Sequence, residues 1–422
     1  MKGRSRREGK TQGMKGLSRR KFLQWTAMGG GAAVLAPQVS LVRAAQEEPW
    51  FKDPEPFIQH PTNLETRLEL LQHSFITPNS LFFVRNNAPS TPHIDVENYR
   101  LVVAGDAVER EIELTYDDLR RLPSRSIPAN VECAGNWRGF YDVIQDRPAS
   151  GGQWRAGAIG LAYWTGTPLR EVLNLAGVRE DAVDVQLIGL DEEAPEEGFR
   201  RPMSIEKALD PNTLLAYTMN GDELPRDHGF PIRAVLPGWV GSNSIKWLGR
   251  IVVSPERVWS RNTVTSYVLA QDPDEPRPEW DPPEGAPEQS RGAPVWDQSI
   301  KSALALPWPA QLESGRQVIR GFASPALHNW DETPTATVKE SQEIAMVEWR
   351  VDDGPWHRAD LLDPLIPGVW TRFEFEWDAT PGQHTISTRA TDAQGLTQPD
   401  VAPWNESGFL MNQVLPHPVE VA

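Results

Sequence analysis

Prolines occur throughout the 422-residue chain, 38 in all, and they limit the structures it can adopt. The proportion of 38 in 422 is nearly double the average of about 5%. Because proline fixes φ and lacks a backbone donor, this frequency favours loops and extended segments over long helices. The composition, 39% hydrophobic and 24% charged, is that of a globular protein, and the length predicts about two to three domains.

The N-terminal 44 residues differ in charge from the rest of the chain. They contain ten Lys or Arg and one acid, so they carry +9, and the net −16 of the whole chain leaves −25 for the remainder. Residues 18–23 read SRRKFL, a weakly apolar run follows at 25–41, and small residues precede position 46. These are the parts of an export signal, and the paired arginines indicate the twin-arginine route. We expect a signal peptide over residues 1–45, cleavage near residue 44 and a periplasmic protein. The alternative is a basic tail ahead of a short buried helix.

The same features disfavour two classes of partner. The apolar run at 25–41 contains three glycines and a proline, and it falls short of the ~20 strongly apolar residues of a membrane span. A charge of −25 outside the signal disfavours binding to nucleic acid or to an anionic membrane surface. Twin-arginine export carries proteins that are already folded, so the signal also indicates a bound prosthetic group.

Residues 46–260 mix strand and helix patterns without a regular βαβ repeat, which indicates an α+β domain. Alternation and apolar runs predict strands at residues 99–104, 111–114, 183–190, 232–236 and 251–254. Short helices are predicted at 116–122, with Thr115 as the cap, and at 169–176.

A different pattern follows in the C-terminal third. Residues 272–294 read DPDEPRPEWDPPEGAPEQSRGAP, and we interpret 261–298 as a Pro-rich acidic linker or arm. Beyond it, Phe373, Phe375 and Trp377 share one face of a predicted strand at 372–378. With hairpin strands at 345–351 and 356–359 and a further strand at 384–391, residues 299–422 have the pattern of an immunoglobulin-like β-sandwich without a cysteine pair.

Cys133 is the single cysteine of the chain, which excludes an intramolecular disulfide. One thiol also cannot build a zinc or iron–sulfur cluster, and no haem-attachment motif is present. Cys133 stands in VECAGNWRG, residues 131–139, where small neighbours allow a tight turn and Arg138 would favour a thiolate. The residues alone leave three interpretations open: an inert core thiol, a nucleophile, or a thiolate ligand of a redox metal.

Several ordered segments resemble the sulfite oxidase family of molybdenum enzymes. They are CAGNWR at 133–138, TPNSLFFVRNN at 77–87, GAIGLAYWTG at 157–166, LAYTMNG at 215–221, LPRDHGFPIR at 224–233, PG at 237–238 and SIKWL at 244–248. The resemblance extends more weakly to the C-terminal part through QPDVAPWN at 398–405. It implies a molybdopterin-binding, sulfite oxidase-like α+β domain over 46–260, an immunoglobulin-like dimerisation domain over 299–422, and hence a homodimer.

The resemblance also implies one molybdenum held by a pyranopterin dithiolene and by the Cys133 thiolate. The missing haem-binding motif separately predicts that no haem is bound. It implies four catalytic groups: Cys133, Arg85, Arg138 and Trp154. It implies the following residues around the cofactor: Phe83, Val84, Arg85, Asn86, Asn87, Asp191, His228, Arg233, Ser244, Ile245 and Lys246. Arg and Lys suit the cofactor's terminal phosphate, because both bind phosphate readily. Simpler roles stay open for some of these residues: His228 as a turn cap, and Arg85 or Lys246 as surface charges.

Three positions depart from the family's sulfite-oxidising members. Their pocket tyrosine corresponds to Phe199, whose ring cannot donate a hydrogen bond. Their WNxRG motif has an arginine where this chain has Ser407, in WNESG. They usually have an arginine directly after CAGN, where this chain has Trp137. Losing one charge-assisted contact to a sulfite anion costs about 1.5–3 kcal/mol, for which Arg200 or Arg201 would have to substitute.

We therefore expect a molybdenum-dependent oxidoreductase that oxidises sulfite or a related sulfur oxyanion by oxygen-atom transfer. Electrons would pass to an external carrier such as a c-type cytochrome, which the acidic surface would attract. The alternatives within the enzymes are a sulfane dehydrogenase-type component of thiosulfate oxidation and a family member with another substrate. The alternative outside the enzymes is an exported binding protein in which Cys133 is only a core residue.

Overall fold

The computed structural model describes residues 50–270, 282–287, 292–326 and 342–422. The export signal expected at residues 1–45 lies outside these ranges, and so do residues 271–281 and 288–291 of the expected arm. Within the described ranges, no helix is both long enough and apolar enough to cross a membrane.

The first part of the described chain is built on two five-stranded sheets. Its strands are β1 (Phe57–His60), β2 (Asn63–Thr66), β3 (Leu101–Ala104), β4 (Ile112–Leu114), β5 (Arg125–Glu132), β6 (Ile159–Pro168), β7 (Asp184–Gly189), β8 (Arg200–Ser204), β9 (Leu214–Met219), β10 (Asp222–Glu223), β11 (Arg233–Val235) and β12 (Leu248–Ser254). One sheet has the order β10-β9-β6-β5, with β11 also paired to β9, and the other has the order β4-β3-β12-β7-β8. Strands β1 and β2 form a separate antiparallel pair.

The helices are short, as the proline frequency predicts. They are α1 (Tyr116–Arg121), α2 (Phe140–Gln145), α3 (Leu169–Ala176), α4 (Ile205–Leu209) and α5 (Arg261–Val264), and one-turn 3-10 helices lie at Asn79–Leu81, Arg226–His228 and Gly241–Asn243, among others. The predicted cap of α1 is confirmed, because the Thr115 hydroxyl accepts from the Asp118 N–H and the Asp118 carboxylate accepts from the Thr115 N–H. Such a reciprocal arrangement satisfies two helix-end donors at once.

The GAIGLAYWTG segment, which sequence analysis treated only as a motif, is the long strand β6. Phe82 packs edge-on against Trp164 of this strand, with ring centroids 5.9 Å apart. A Cβ on Gly160 would lie 2.6 Å from the Phe82 ring, so only glycine admits the ring at that position. The TPNSLFFVRNN segment is thereby fixed against the strand beside β5, which leads into Cys133.

The C-terminal part contains a four-stranded and a five-stranded sheet. A separate pair of strands, β13 (Val268–Ala270) and β14 (Gly292–Pro294), precedes these sheets. The strands of the two sheets are β15 (Lys301–Leu304), β16 (Ala310–Leu312), β17 (Gly315–Ser324), β18 (Ile344–Val351), β19 (His357–Arg358), β20 (Asp360–Leu361), β21 (Thr371–Ala379), β22 (Gly382–Asp392) and β23 (Pro416–Val421). The sheet orders are β15-β17-β21-β20 and β16-β23-β22-β18-β19. The strand predicted at 372–378 is confirmed as part of β21, with Phe373 and Phe375 buried. Both sheets contribute to one apolar core, which includes Ile319 and Phe373 from one and Val347 and Ile386 from the other.

A loop of the C-terminal part reaches the turn that carries Cys133. The Leu410 N–H donates to the Ala134 carbonyl at 3.0 Å. The Tyr141 hydroxyl of α2 donates to the Pro403 carbonyl at 2.7 Å. The C-terminal loop at 403–410 is therefore part of the structure around the single cysteine.

Candidate functional site

A cavity of about 680 Å³, which includes its opening to solvent, lies beside Cys133. Eleven of the residues expected at a cofactor line it: Phe83, Arg85, Asn86, Asn87, Cys133, Asp191, His228, Arg233, Ser244, Ile245 and Lys246. The remaining wall residues are Phe82, Val131, Ala134, Phe199, Asp227, Gly241, Ser242, Trp247 and Tyr267. Its wall combines apolar rings with a few charged and polar side chains, as is typical of sites for cofactors and other small molecules.

Three expected site residues do not line this cavity. Val84 is buried and exchanges backbone hydrogen bonds with Leu64. Trp154 is buried in the apolar cluster that also contains Cys133, and its ring lies 4.6 Å from the His60 ring. The third is Arg138, which lies next to the turn that carries the thiol.

Cys133 follows the last residue of β5 and is 7% exposed. Its N–H donates to the Ala158 carbonyl at 2.9 Å, and its own carbonyl accepts from the Asn136 N–H. The Asn136 side chain spans the turn, because its Oδ1 accepts from the Ala158 N–H and its Nδ2 donates to Glu132. The asparagine of the CAGN motif thus fixes the turn that presents the thiol at the cavity wall.

Arg138 is buried beside this turn and is held by backbone carbonyls. Its Nε donates to the Ser407 carbonyl and its Nη1 to the Gly152 carbonyl at 2.8 Å. Burial lowers the pKa of Arg138, and the neighbouring Cys133 acts in the opposite direction. A Cβ on Gly135 would lie 2.4 Å from the Arg138 guanidinium, so glycine at this position makes room for the charge. Ser407 therefore acts here through its carbonyl rather than its side chain.

Positive side chains are concentrated in another part of the wall. Arg233 is 3% exposed and donates to the carbonyls of His228 and Ser244, each at 3.1 Å. Lys246 donates to the Asn86 side chain and to the Asp227 carbonyl. Carbonyls and amides satisfy the donors of a cation but leave its net charge in place.

The pKa values in this region reflect that buried charge. Burial lowers the pKa of Arg233 to about 9. Burial, followed by the charge of Arg233, holds the pKa of Lys246 well below its usual range. Burial, followed by the charge of Lys52, likewise holds the pKa of His228 well below its usual range. Burial raises the pKa of Asp227, an effect opposed by the hydrogen bond from the Phe51 N–H and by the charge of Lys246.

The wall fits a ligand that carries negative charge. Buried cations without equal countercharge favour an anion, and phosphate is a group that Arg and Lys both bind. Among the described residues, Ser242 Oγ is also buried at this wall without a hydrogen-bond partner. A buried hydroxyl of this kind suits a polar ligand group.

Asp191 follows β7 by two residues and adds a carboxylate to the wall. Its Oδ1 accepts from the Phe199 N–H at 2.9 Å. Burial raises the pKa of Asp191, an effect opposed by this backbone hydrogen bond. A carboxylate in this position suits a ligand with N–H donors, such as an amino-substituted ring.

Tyr267 lines the same cavity as Phe199 and brings a hydroxyl to its wall. Its ring stacks on Phe409 with centroids 5.3 Å apart and meets Phe199 edge-on at 5.9 Å. Its hydroxyl donates to Asn87 Oδ1 at 3.2 Å and accepts from Arg85 at 3.4 Å. Sequence reasoning did not single out Tyr267, because it lies outside the matched motifs.

Cys133 is an isolated potential metal ligand. Within the described ranges, no group of three or more His, Cys, Asp or Glu side chains is placed to hold a metal ion. A metal at this thiol would take its further ligands from solvent or from a bound group. The cavity thus combines one buried cysteine with a wall that suits an anionic ligand.

Comparison with known proteins identifies the class. Residues 88–262 match the family described as oxidoreductase molybdopterin binding domain. Chicken (Gallus gallus) sulfite oxidase is 35% identical over 371 residues, which cover 83% of this chain and 74% of the chicken protein. The chain belongs to the sulfite oxidase family of molybdopterin-dependent oxidoreductases.

Other relatives are longer than the matched region. Mitochondrial sulfite oxidase of Rattus norvegicus is 33% identical over 84% of this chain, and the match spans 63% of the rat protein. Nitrate reductase [NADH] 2 of Phaseolus vulgaris is 30% identical over 84% of this chain and 40% of that protein. The sulfane dehydrogenase SoxCD from Paracoccus pantotrophus has the same fold, with a TM-score of 0.69 at 24% identity over 93% of this chain and 95% of that one.

Proposed function

We propose that this protein oxidises sulfite or a related sulfur oxyanion at a molybdenum centre and passes the electrons to an external carrier. The overall reaction is sulfite plus water giving sulfate, two protons and two electrons. The observation that carries the proposal is the position of Cys133, whose buried thiol lines the same cavity as Arg233 and Lys246. A soft metal ligand and an anion-binding wall in one cavity match a cofactor that carries both a metal and a phosphate.

Different residues of the wall suit different parts of the cofactor. The Cys133 thiolate would hold the metal, and Arg233, Lys246 and His228 would hold the phosphate. Asp191 would accept from the amino group of the pterin. When bound, the molybdenum cofactor supplies oxygen-atom transfer and storage of two electrons.

Arg85 and Tyr267 are the side chains that we assign to the substrate. Arg85 is anchored by Asn87 at 2.9 Å, and both residues contact the Tyr267 hydroxyl. This network presents a guanidinium and a phenol at the wall, where they would bind and orient an oxyanion. Phe199 and Phe409 pack around the Tyr267 ring and limit the access of water to that side.

Steady-state kinetics of the purified, cofactor-loaded protein would test this function. With sulfite as the donor and cytochrome c as the acceptor, we expect reduction of the acceptor by the wild type and none by Cys133→Ser. Reduction with a sulfane-sulfur substrate but not with sulfite would replace the first choice with the sulfane dehydrogenase alternative. No turnover by a protein that contains molybdenum, with either donor, would exclude both.

We further propose that the C-terminal two-sheet part is an immunoglobulin-like sandwich that joins two copies of the chain. The apolar core shared by its two sheets supports the sandwich, and family resemblance supports the dimer. Light scattering coupled to gel filtration should give a mass near twice the 47.2 kDa of the chain, less any removed signal. A single-chain mass at micromolar concentration would exclude a stable dimer.

Export to the periplasm is the remaining proposal, and the N-terminal sequence supports it. Replacing Arg19 and Arg20 by Lys should retain the full-length protein in the cytoplasm if the twin-arginine route is used. Fractionation and N-terminal sequencing of the wild type should place the mature protein in the periplasm with its first residue near position 45. A periplasmic double variant with normal processing would contradict the assigned route.

A further inference from the structure

Lys52 contacts the cofactor cavity from outside its wall. Its Nζ donates to the carbonyls of Asn79 at 2.8 Å and Phe82 at 2.7 Å, and it lies 2.8 Å from His228 Nε2. Phe82 and His228 line the cavity, whereas Lys52 does not. Lys52 therefore acts on the cavity through the residues that it holds.

The three contacts define how His228 is held. In its ammonium form Lys52 has three donors and no acceptor, so His228 Nε2 accepts the third hydrogen bond from that form. His228 is 2% exposed, and burial together with nearby cations disfavours its charged form. Beside the ammonium form of Lys52, the neutral imidazole accepts at Nε2 and carries its proton on Nδ1.

Phe51, which precedes Lys52, contacts Asp227, which precedes His228. The Phe51 N–H lies 3.0 and 2.9 Å from the two carboxylate oxygens of Asp227. Asp227 is also a wall residue, and its carbonyl accepts from Lys246. Two consecutive residues of the N-terminal segment thus fix two consecutive residues of the wall.

The charge of Lys52 depends on the other charges in and around the cavity. Burial lowers the pKa of Lys52 to about 7, and Asp227 acts in the opposite direction. An anion in the cavity would add to the effect of Asp227 and favour the ammonium form. The contact of Lys52 with His228 would then be strongest when the cavity holds a negatively charged group.

We propose that Lys52 is a positioning residue for the phosphate end of the cofactor, acting through His228. The inference rests on the proposed binding of molybdopterin in this cavity. Lys52 fixes the tautomer of His228 and adds positive charge beside the wall, so removing it should shorten the time for which the protein retains the cofactor.

Cofactor retention by the loaded protein tests this role directly. Lys52→Met keeps much of the side-chain volume but removes charge and donors, and we expect the released pterin, measured by fluorescence, to appear about 10-fold faster or more. Lys52→Arg should restore much of the retention, and Glu55→Gln, an exposed change of one charge on the same segment, should release at the wild-type rate. Equal rates for Lys52→Met and wild type would overturn the proposal, as would the same acceleration in Glu55→Gln.

The tautomer of His228 gives a readout that does not depend on turnover. In protein with ¹⁵N-labelled histidine, the His228 signals can be assigned by their loss in His228→Gln. We expect Nε2 to be unprotonated and Nδ1 protonated in the wild type, and Lys52→Met to shift the Nε2 signal. A protonated Nε2 in the wild type would overturn the proposal even if Lys52→Met were unstable.

The same experiments separate this inference from the proposed function. Wild-type protein that contains pterin and molybdenum but does not oxidise sulfite would contradict the proposed substrate and leave the role of Lys52 intact. Wild-type protein without pterin, from a host that makes the cofactor, would contradict both.

Discussion

Lys301 and Glu132 form an ion pair inside the protein, with Nζ 2.7 Å from Oε1 and side chains that are 3% and 1% exposed. Lys301 belongs to β15 in the C-terminal part, and Glu132 ends β5 immediately before Cys133. The same Glu132 oxygen accepts from Asn136 Nδ2 at 2.9 Å. A charge from the C-terminal sheets thus contacts the residue that leads into the turn presenting the thiol.

Removing Lys301 should destabilise the protein strongly. Lys301→Met leaves a buried carboxylate without its cation, which costs about 3–5 kcal/mol in unfolding free energy. The double variant Lys301→Met with Glu132→Gln should recover much of this loss, because no charge is then left unpaired. Urea denaturation would measure both changes.

The exposed pair Arg316–Glu376 provides the control for this prediction. Its side chains are 70% and 58% exposed, so Arg316→Gln should leave stability unchanged within error. An effect of Lys301→Met no larger than that of Arg316→Gln would show that the buried pair does not stabilise the fold.

Removing the Tyr267 hydroxyl should impair catalysis more than it impairs folding. Tyr267→Phe keeps the ring that stacks on Phe409 but removes the contacts to Arg85 and Asn87. Loss of a hydrogen bond to a charged group predicts a fall in kcat/KM for sulfite of about 10-fold or more. The exposed Tyr163 offers a matched control, since Tyr163→Phe should leave kcat/KM unchanged. Equal values for the two variants would contradict the assignment of Tyr267 to the substrate.

The sequence was informative where a residue belongs to a continuous motif. Side chains of the FFVRNN, DHGFPIR and SIK segments line one cavity, and the second of these segments leads into β11 at Arg233. It was uninformative where a position depends on contacts between distant segments. Tyr267 is placed by stacking on Phe409, 142 residues further along the chain, and Lys52 by its contact with His228. Motif position likewise does not show that the Trp154 ring packs against the His60 ring.

His417 should make stability depend on pH. It is buried in β23, and burial lowers its pKa to about 4. Its hydrogen bond to the Pro307 carbonyl acts in the opposite direction but is the smaller effect. In the unfolded chain this histidine binds its proton near pH 6.5, whereas in the folded protein it does so only near pH 4. As the pH falls from about 6.5 to about 4, the free energy of unfolding should therefore decrease by up to about 1.4 kcal/mol per pH unit. Above about pH 6.5 the His417 contribution should be constant.

A His417→Asn variant isolates this contribution, because asparagine retains an N–H donor but does not titrate. Urea denaturation of both proteins between pH 7.5 and 4.5 should give a shallower slope for the variant. Parallel slopes would show that His417 binds a proton equally well in the folded state.

Electron transfer to a basic cytochrome c should weaken as salt is added. The chain carries a net charge of −16, or −25 without residues 1–44, and this charge should attract a basic partner. Salt at 0.1 M largely screens such attraction beyond about 10 Å. We expect kcat/KM for the cytochrome to fall steeply with ionic strength, whereas the rate with an uncharged small acceptor should change little. A salt-independent rate with the cytochrome would argue against electrostatic docking.

Metal analysis of the purified protein tests the central claim most directly. Expressed in a host that makes the cofactor, the wild type should contain close to one molybdenum and one pterin per chain, and Cys133→Ser should lose turnover while it keeps the fold. A wild-type molybdenum content below about 0.1 per chain would contradict the account and support a protein in which Cys133 is only a core residue.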